Sequence, residues 1–490
     1  MATNDHVIHL ENGRLTAQNP RTAIEKMAQD AVASQHVVIH FHGGLVNYDS
    51  GIEIAERLLP IYRSKNTYPL FFVWESGLIE TLTNNFAEIA SEKLFRILWK
   101  RIGKIAKRKF GQSDGDRAVF VLPPANTVEM EQGIDKALDE EDPTYLQPTE
   151  LETPAGLDDL GDFERRTLEN ELLVDARLNF EIHQVSNELR DPATVEDELR
   201  SRSSRVQGSS ATLMDPRALD RVIERPTPGH RGLISTAKMI KAIVAVAAQV
   251  ISRFVKGRDH GFHATIVEEI LRELYLANVG EFVWSTMKKD TADAFKPDGN
   301  VHGGTALLEA LATNITTDDV PTITLIGHST GAIYISRFLD HAVEALPATQ
   351  QFRVVFLAPA STCELTADTL EKHKSRISDF RMFSMTDEYE KKDRLVKILY
   401  PHSLLYFVSG VVEGGFDVPL VGMERYYNQN DYPTDSFPAV ATVRDYVQSN
   451  ANHAVWSVNT TGSPGHRSAS EKHGDFDNDQ ETLNSIAHFL

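Results

Sequence analysis

The chain lacks the features that would cross-link it or hold it in a membrane. It has a single cysteine, Cys363, among 490 residues, which excludes an intramolecular disulfide and a cysteine-based metal cluster. Its longest hydrophobic run, residues 242–251, is too short to span a bilayer. Residues 1–6 lack the basic start and the apolar stretch of a secretory signal. We therefore expect a cytoplasmic protein in a reducing compartment.

Positive charge is also scarce. The 50 lysines and arginines are outnumbered by 70 aspartates and glutamates, which gives a net charge of −20. Because nucleic acid phosphates repel such a molecule, we expect no nucleic acid partner. Hydrophobic residues make up 41% of the chain and charged residues 24%, a balance that excludes a mostly disordered protein. A chain of this length is expected to form two or three structural units.

Strand-like and helical segments alternate at both ends of the chain. Segments rich in β-branched and aromatic residues, without turn signals, predict strands that are buried on both faces. These strands are predicted at residues 36–41, 68–74, 322–326, 353–357, 380–385 and 454–458, with helices between them. The pattern predicts an α/β fold with a mostly parallel sheet, formed by residues 1–75 and 319–490.

Residues 76–318 interrupt this alternation as a large, mainly helical insertion. Helices are predicted at residues 78–110, 163–188, 237–255 and 265–287, and a short strand at 118–122. The acidic stretch 129–164 and the arginine-rich stretch 200–231 are predicted to be mobile linkers.

The first helix of the insertion is amphipathic and basic. Its residues 95–110 include Lys100, Arg101, Lys104, Lys107, Arg108 and Lys109. Such a helix is suited to peripheral contact with an anionic membrane. The alternative, which we favour, is that its apolar face packs in the core and its basic face pairs with the acidic stretch.

The strongest local motif is Gly-His-Ser-Thr-Gly at residues 327–331. It directly follows a predicted strand and directly precedes a predicted helix, as a nucleophile elbow does. Glycines on both sides of Ser329 allow the sharp turn that lifts the serine hydroxyl above the sheet edge at a helix N-terminus. The alternative role for Ser329 is that of a simple helix cap.

A second glycine motif follows the predicted strand 36–41. In His42-Gly43-Gly44 the glycines bring backbone N–H groups close to a developing oxyanion, and the N–H of Thr330 supplies a further donor. The alternative is that Gly43 and Gly44 only end the strand. His40 and His42 resemble a metal-binding pair, but no third ligand is placed near them, so we predict no metal site.

A serine nucleophile needs a base and an orienting acid. We expect the base in the loop between the last strand and the last helix, where His473 lies, with His466 as the second choice. His453 and His488 are less well placed, and the aspartate-rich loop around His473 lacks the glycine and glutamate of an EF-hand. We expect the acid after the strand 380–385. Asp387 is our choice, and its competitors are Glu388, Glu390 and Asp393.

The order Ser329, Asp387, His473, with His42-Gly43-Gly44 upstream and a Gly-x-Ser-x-Gly elbow, resembles the α/β-hydrolase superfamily. The resemblance covers about residues 5–75 and 319–490. It implies an eight-stranded, mostly parallel sheet with catalytic loops at its carboxyl edge, and acyl transfer to water through a covalent serine ester without a cofactor. The insertion departs from this pattern, because caps in the superfamily more often follow a later strand.

These observations predict a serine hydrolase that cleaves a small-molecule or lipid carboxylic ester through an acyl-enzyme. One alternative is a lipase or phospholipase acting at a membrane surface. The other is a non-catalytic, hydrolase-like scaffold that binds a partner through the insertion. We expect the helices of the insertion to cover the carboxyl edge of the sheet and to restrict access to Ser329.

Overall fold

The chain builds one eight-stranded sheet in the order β2-β1-β4-β3-β5-β6-β7-β8. The computed structural model describes residues 3–44, 46–74, 89, 92–111, 156–186, 214, 216–222, 235–275, 279–396 and 400–490. The strands are β1 (Val7–Glu11), β2 (Arg14–Leu15), β3 (His36–Phe41), β4 (Tyr68–Trp74), β5 (Thr322–His328), β6 (Phe352–Leu357), β7 (Ile377–Met385) and β8 (Ala454–Ser457). All neighbouring pairs are parallel except the β1–β2 hairpin. The predicted α/β class with a mostly parallel sheet is confirmed.

The pairing of β3 with β5 brings the two glycine motifs together. In this register His40 lies opposite Ile326 and Phe41 opposite Gly327. Both strands therefore end at the same edge of the sheet, although the whole insertion separates them in the chain. Parallel strands buried on both faces carry near-continuous apolar runs, which is the pattern of Val37–Ile39 and Thr324–Ile326.

Helices cover both faces of the sheet. On one face α1, α10, α11, α12 and α15 contribute apolar side chains, and on the other face α2 and α16 do so. The helices before the insertion are α1 (Arg21–Ala33) and α2 (Tyr48–Arg63). The later ones are α10 (Gly303–Asn314), α11 (Gly331–Ala345), α12 (Cys363–His373), α13 (Asp387–Glu390), α14 (Leu404–Phe407), α15 (Pro438–Gln448) and α16 (Gln480–Phe489).

The described residues between β4 and α10 form further helices that join the larger core. These are α3 (Lys93–Phe110), α4 (Asp162–Leu173), α5 (Ala176–Ser186), α6 (Pro216–Val222), α7 (Thr236–Val255), α8 (Phe262–Ile270), which continues as a π-helical turn (Leu271–Tyr275), and α9 (Val279–Asp293). The apolar face of α3 packs on α7 and α8, with the rings of Phe110 and Phe254 4.9 Å apart. No described helix has the length and the hydropathy needed to cross a membrane.

Three predictions for the insertion need correction. The helix predicted at 163–188 is two helices, because the Asp175 side chain accepts the N–H groups of Arg177 and Leu178 and so caps α5. The helix predicted at 265–287 begins earlier, at Phe262, and its described residues are helical as far as Asp293. The predicted linker 200–231 contains α6, whose Leu219 is buried in the core.

Other predictions in the insertion fall outside the described residues. They are the strand at 118–122, the start of the helix at 78 and most of the stretches 129–164 and 200–231. The described end of the acidic stretch forms the beginning of α4.

Ion pairs join the basic face of α3 to the next two helices. Arg101 contacts Asp175 at 2.7 Å, Arg108 contacts Glu171 at 2.6 Å and Lys109 contacts Glu164 at 2.8 Å. Glu164 lies in the acidic stretch that was expected to pair with this face, and the other two acids follow it closely in the chain. These contacts agree with the packed alternative for α3.

A buried polar cluster holds α7 and α8 against the segment that follows α14. The ring nitrogens of His260 contact Glu268 at 2.8 Å and Asp417 at 3.1 Å, and Arg253 contacts Glu268 at 2.8 Å. We call these four residues the insertion clamp. All are buried. Glu268 therefore links His260 to Arg253 within the clamp.

Candidate active site

Ser329 occupies a strained turn between β5 and α11. Its φ is 54°, in the left-handed region that L-residues other than glycine rarely adopt. Backbone hydrogen bonds fix this turn: the Ser329 N–H donates to Leu357 O at 2.8 Å, and the Ala360 N–H donates to Ser329 O at 3.1 Å. Such strain costs roughly 1 kcal/mol and persists where the surrounding structure imposes it.

Both glycines of the motif are required by close backbone packing. A Cβ on Gly331 would overlap the carbonyl oxygen of Phe41 in the neighbouring strand. A Cβ on Gly327 would lie 2.6 Å from the backbone of Gly331 itself. These contacts account for the Gly-x-Ser-x-Gly spacing, since larger residues would push α11 away from the end of β3.

The second glycine motif lies directly beside the turn. A Cβ on Gly43 would lie 3.4 Å from Ser329 Cβ, and one on Gly44 would lie 2.7 Å from Thr330 Oγ1. Thr330 is the residue that precedes the first turn of α11, so the positive end of this helix faces the same place. The structure thus brings together Ser329 and the three residues predicted to form an oxyanion hole.

The insertion reaches this site through α9. A Cβ on Gly44 would overlap Met287 Sδ, so the Met287 side chain fills the space above this glycine. Ser329 and Thr330 are each only 1% exposed. A helix of the insertion therefore lies over the carboxyl edge of the sheet at the serine.

His473 also lies next to the turn. It begins a short 3-10 helix (His473–Asp475), it is buried, and its ring stacks on that of His328 with centroids 5.4 Å apart. Burial, and then the neighbouring His328, lower the pKa of His473 to about 3, which keeps the imidazole neutral. The second choice, His466, contacts Ser463 and Pro464 of its own turn instead.

The serine and the histidine are not hydrogen bonded to each other. Neither Ser329 Oγ nor either ring nitrogen of His473 has a hydrogen-bond partner among the described residues. Such bonds in enzymes without substrate are often long and tighten only when substrate binds. The arrangement provides a buried hydroxyl, a neutral imidazole and glycine N–H groups within one small region.

Asp387 contacts residues other than the candidate base. Its carboxylate accepts a hydrogen bond from Tyr406 at 2.5 Å and pairs with Lys391 at 2.8 Å. Burial alone would raise the pKa of Asp387, but the lysine charge and these bonds hold it below its usual value.

Of the four acids named from the sequence, Asp393 is the one that contacts His473. Asp393 Oδ2 accepts the His473 main-chain N–H at 2.8 Å, and burial raises the pKa of Asp393. Glu388 pairs with Lys392 on the surface, and Glu390 is buried against Ser403. The role of Asp387 as the orienting acid remains a prediction.

His40 of β3 and His42, which follows the strand, have structural contacts. His40 Nδ1 lies 3.0 Å from the Tyr62 hydroxyl. His42 Nδ1 donates to Gly43 O at 2.6 Å, and its Nε2 accepts the Trp74 N–H at 3.1 Å. Burial lowers the pKa of His40 to about 3 and that of His42 to about 4, so both rings are neutral. No cluster of potential metal ligands occurs among the residues that the structure describes.

Sequence reasoning missed Asp477 and the side chain of His328. His328 Nδ1 lies 3.6 Å from Asp477 Oδ2, and both residues are buried. The available signal was the position of Asp477 in the loop that carries His473.

Comparison of the chain with protein-family models, curated proteins and solved structures finds no match.

Proposed function

We propose that this protein is a serine hydrolase that cleaves carboxylic esters through an acyl-enzyme. The observation that carries the proposal is the left-handed φ of 54° at Ser329, between a strand and a helix and against a pair of glycines. A strained serine at such a turn is the signature of a nucleophile elbow. The location of the candidates after β5, β7 and β8 further supports a resemblance to the α/β-hydrolase fold.

In the proposed reaction His473 accepts the Ser329 hydroxyl proton while Oγ attacks the ester carbonyl carbon. The N–H groups of Gly43, Gly44 and Thr330 stabilise the negative oxygen of the tetrahedral intermediate. When the intermediate collapses, the C–O bond to the alcohol breaks and His473 returns its proton to that alcohol. A water molecule then attacks the acyl-enzyme by the same route and releases the acid and the serine. This sequence needs no cofactor.

Orientation of the base is proposed to depend on the loop after β7. Asp393 is the better-supported carboxylate, because its bond to the His473 N–H fixes the main chain of the base. Asp387 would need to leave Tyr406 and Lys391 before it reached the imidazole.

The substrate is proposed to be a small-molecule or lipid ester. Its entry requires displacement of the cover over Ser329, and Met287 is the covering side chain closest to Gly44. The buried, unpaired Cys363 is compatible with the proposed cytoplasmic location.

The second candidate function is a non-catalytic scaffold. It is favoured by one observation, the absence of a hydrogen bond between Ser329 and His473. A fluorophosphonate probe separates the two, because only an activated serine reacts with it. We expect labelling of the wild-type protein and none of Ser329→Ala or His473→Ala; an unlabelled wild-type protein would support the scaffold.

The substrate class is tested by acyl esters of increasing chain length, with phospholipids in vesicles included. Turnover of soluble short esters without a gain at vesicles supports the esterase. A preference for vesicles that weakens with salt would favour the membrane-active lipase, since surface attraction is screened within a Debye length.

A further inference from the structure

The buried histidine that precedes Ser329 and the buried aspartate that faces it take no part in the reaction proposed above. His328 is 6% exposed and Asp477 is 4% exposed. His328 Nδ1 lies 3.6 Å from Asp477 Oδ2, the distance of an ion pair rather than a hydrogen bond. We propose that His328 and Asp477 form a charged pair that positions His473 and keeps its ring neutral. This role rests on the proposed function.

The first support is a direct link between the pair and the base. His328 Nε2 donates to the main-chain oxygen of His473 at 2.9 Å. The same ring stacks on the His473 ring, and its Nδ1 would lie 3.7 Å from a Cβ on Gly43. His328 therefore contacts the base and borders the predicted oxyanion hole while being the chain neighbour of Ser329.

The second support is mutual charge stabilisation. Burial would lower the pKa of His328, but its interaction with Asp477 raises the pKa above its usual value. Burial would raise the pKa of Asp477, but His328 and Arg57 lower it. Each partner thus favours the charged form of the other, and in the proposed pair an imidazolium lies beside the base.

Other titratable groups face the pair, but they do not supply the positive charge that His328 places beside His473. Arg57 of α2 is the nearest, with its guanidinium 3.6 Å from Asp477 Oδ1 and its Nε donating to Asp477 O at 3.1 Å. His40 of β3 and His42 after it are neutral, because burial lowers the pKa of each. The Tyr62 hydroxyl of α2 is also neutral, because burial raises its pKa. His40, His42 and Tyr62 therefore add no charge to that of the pair.

This arrangement has a consequence for the pH dependence of the base. Burial and, after it, the positive charge of His328 oppose protonation of His473, and together they lower its pKa to about 3. Serine reactivity in the wild-type protein should therefore stay constant from pH 8 down to about pH 4. Loss of the charge on His328 should let His473 take up a proton at a higher pH, so reactivity should fall earlier on the acid side.

The test measures the rate at which a fluorophosphonate probe labels Ser329 as a function of pH. His328→Gln keeps a donor for the His473 oxygen but has no charge, and we expect the acid-side loss to begin about one pH unit higher. Labelling at pH 7 should fall about tenfold, because the base is less well held. Asp477→Asn removes the partner that keeps His328 charged, so it should shift the profile in the same direction. The shift should be smaller than in His328→Gln, because His328→Gln retains the Asp477 charge, which itself favours protonation of His473.

The matched control is His6→Gln. His6 is a buried histidine whose Nδ1 lies 2.8 Å from Pro69 O, at the opposite edge of the sheet. We expect its labelling rate and pH profile to match those of the wild-type protein. A general effect of replacing buried histidines would change this variant as well and would overturn the proposed role.

Failure of the inference is distinguishable from failure of the proposed function. A wild-type protein that is not labelled overturns both. A wild-type protein that is labelled, with His328→Gln giving the same acid-side profile, overturns the role of the pair and leaves the hydrolase proposal intact. If thermal melting shows that His328→Gln does not fold, Asp477→Asn decides by the same criterion, because it preserves the side-chain shape.

Discussion

Removal of the Ser329 hydroxyl is expected to stabilise the protein while it abolishes labelling. The hydroxyl is buried and has no hydrogen-bond partner among the described residues, so it was desolvated on folding without compensation. An unsatisfied buried polar group costs about 1–3 kcal/mol. Because Ser329→Ala removes this group and keeps the backbone, we expect the free energy of unfolding to rise by about 1 kcal/mol.

The strained backbone allows a second measurement at the same position. Ser329→Gly relieves the left-handed φ, which is worth about 1 kcal/mol, but the freer unfolded chain offsets about 0.5–1 kcal/mol of that gain. We therefore expect the glycine variant to be about as stable as the alanine variant. Thermal melting at a fixed scan rate provides the readout, and an increase of about 1 °C over the wild-type midpoint is expected for each.

Ser409→Ala is the matched control for the hydroxyl. Ser409 is also fully buried, but its Oγ lies 2.6 Å from the Tyr426 hydroxyl, so its loss should cost about 1 kcal/mol. The reasoning is refuted if Ser329→Ala loses as much stability as this control. Such a result would mean that the Ser329 hydroxyl is hydrogen bonded in solution, as a resting pair with His473 would be.

Three further predictions concern the acid, the glycines and the clamp. Asp393→Ala should slow probe labelling about tenfold and Asp387→Ala by less, because only the first touches the base; the reverse order would reinstate Asp387 as the acid. Gly44→Ala should slow ester turnover more than Gly43→Ala, since its Cβ overlaps the methionine of α9; equal rates would contradict the close packing there. Burial would raise the pKa of Glu268, but the neighbouring cations lower it to about 2, against an ordinary 4.5. Its carboxylate therefore stabilises the fold above about pH 4.5, and this stability is lost as the pH falls towards 2. Glu268→Gln should cost about 3 kcal/mol at pH 7, and melting curves should converge with the wild type at acid pH; a constant difference would refute the charge argument.

The parts of the fold that the sequence predicted correctly depend on local patterns. The segments His36–Phe41 and Tyr68–Trp74 are strands with the predicted bounds, because apolar runs of that length cannot be exposed. The elbow glycines were predictable for a related reason, since the sharp turn leaves no room for a Cβ at residues 327 and 331. These signals are contained within a few residues and do not require knowledge of distant contacts.

The parts that failed depend on contacts between distant residues or on a single cap. The helical periodicity of 163–188 continues through the break at Asp175, so the apolar pattern alone could not reveal two helices. The position of Asp175, with its side chain accepting two following N–H groups, was the available signal. The choice among the acids stays a prediction for another reason: four carboxylates follow β7 within a few residues, and what distinguishes them are contacts with distant residues, the Tyr406 hydroxyl for Asp387 and the His473 N–H for Asp393.

The histidine cluster shows that part of the tertiary arrangement was nevertheless present in the sequence. Side chains alternate between the faces of a strand, so His42, one residue past the end of β3, has the parity of His40, and His328 has the parity of Ile326 on β5. In the observed register His40 lies opposite Ile326, and the apolar side chains on that face pack on α2 and α16. The loop that leads into α16 carries His473 and Asp477. Strand parity, combined with the expectation that β3 and β5 are neighbours, therefore places three histidines on the face where the base and the missed aspartate arrive.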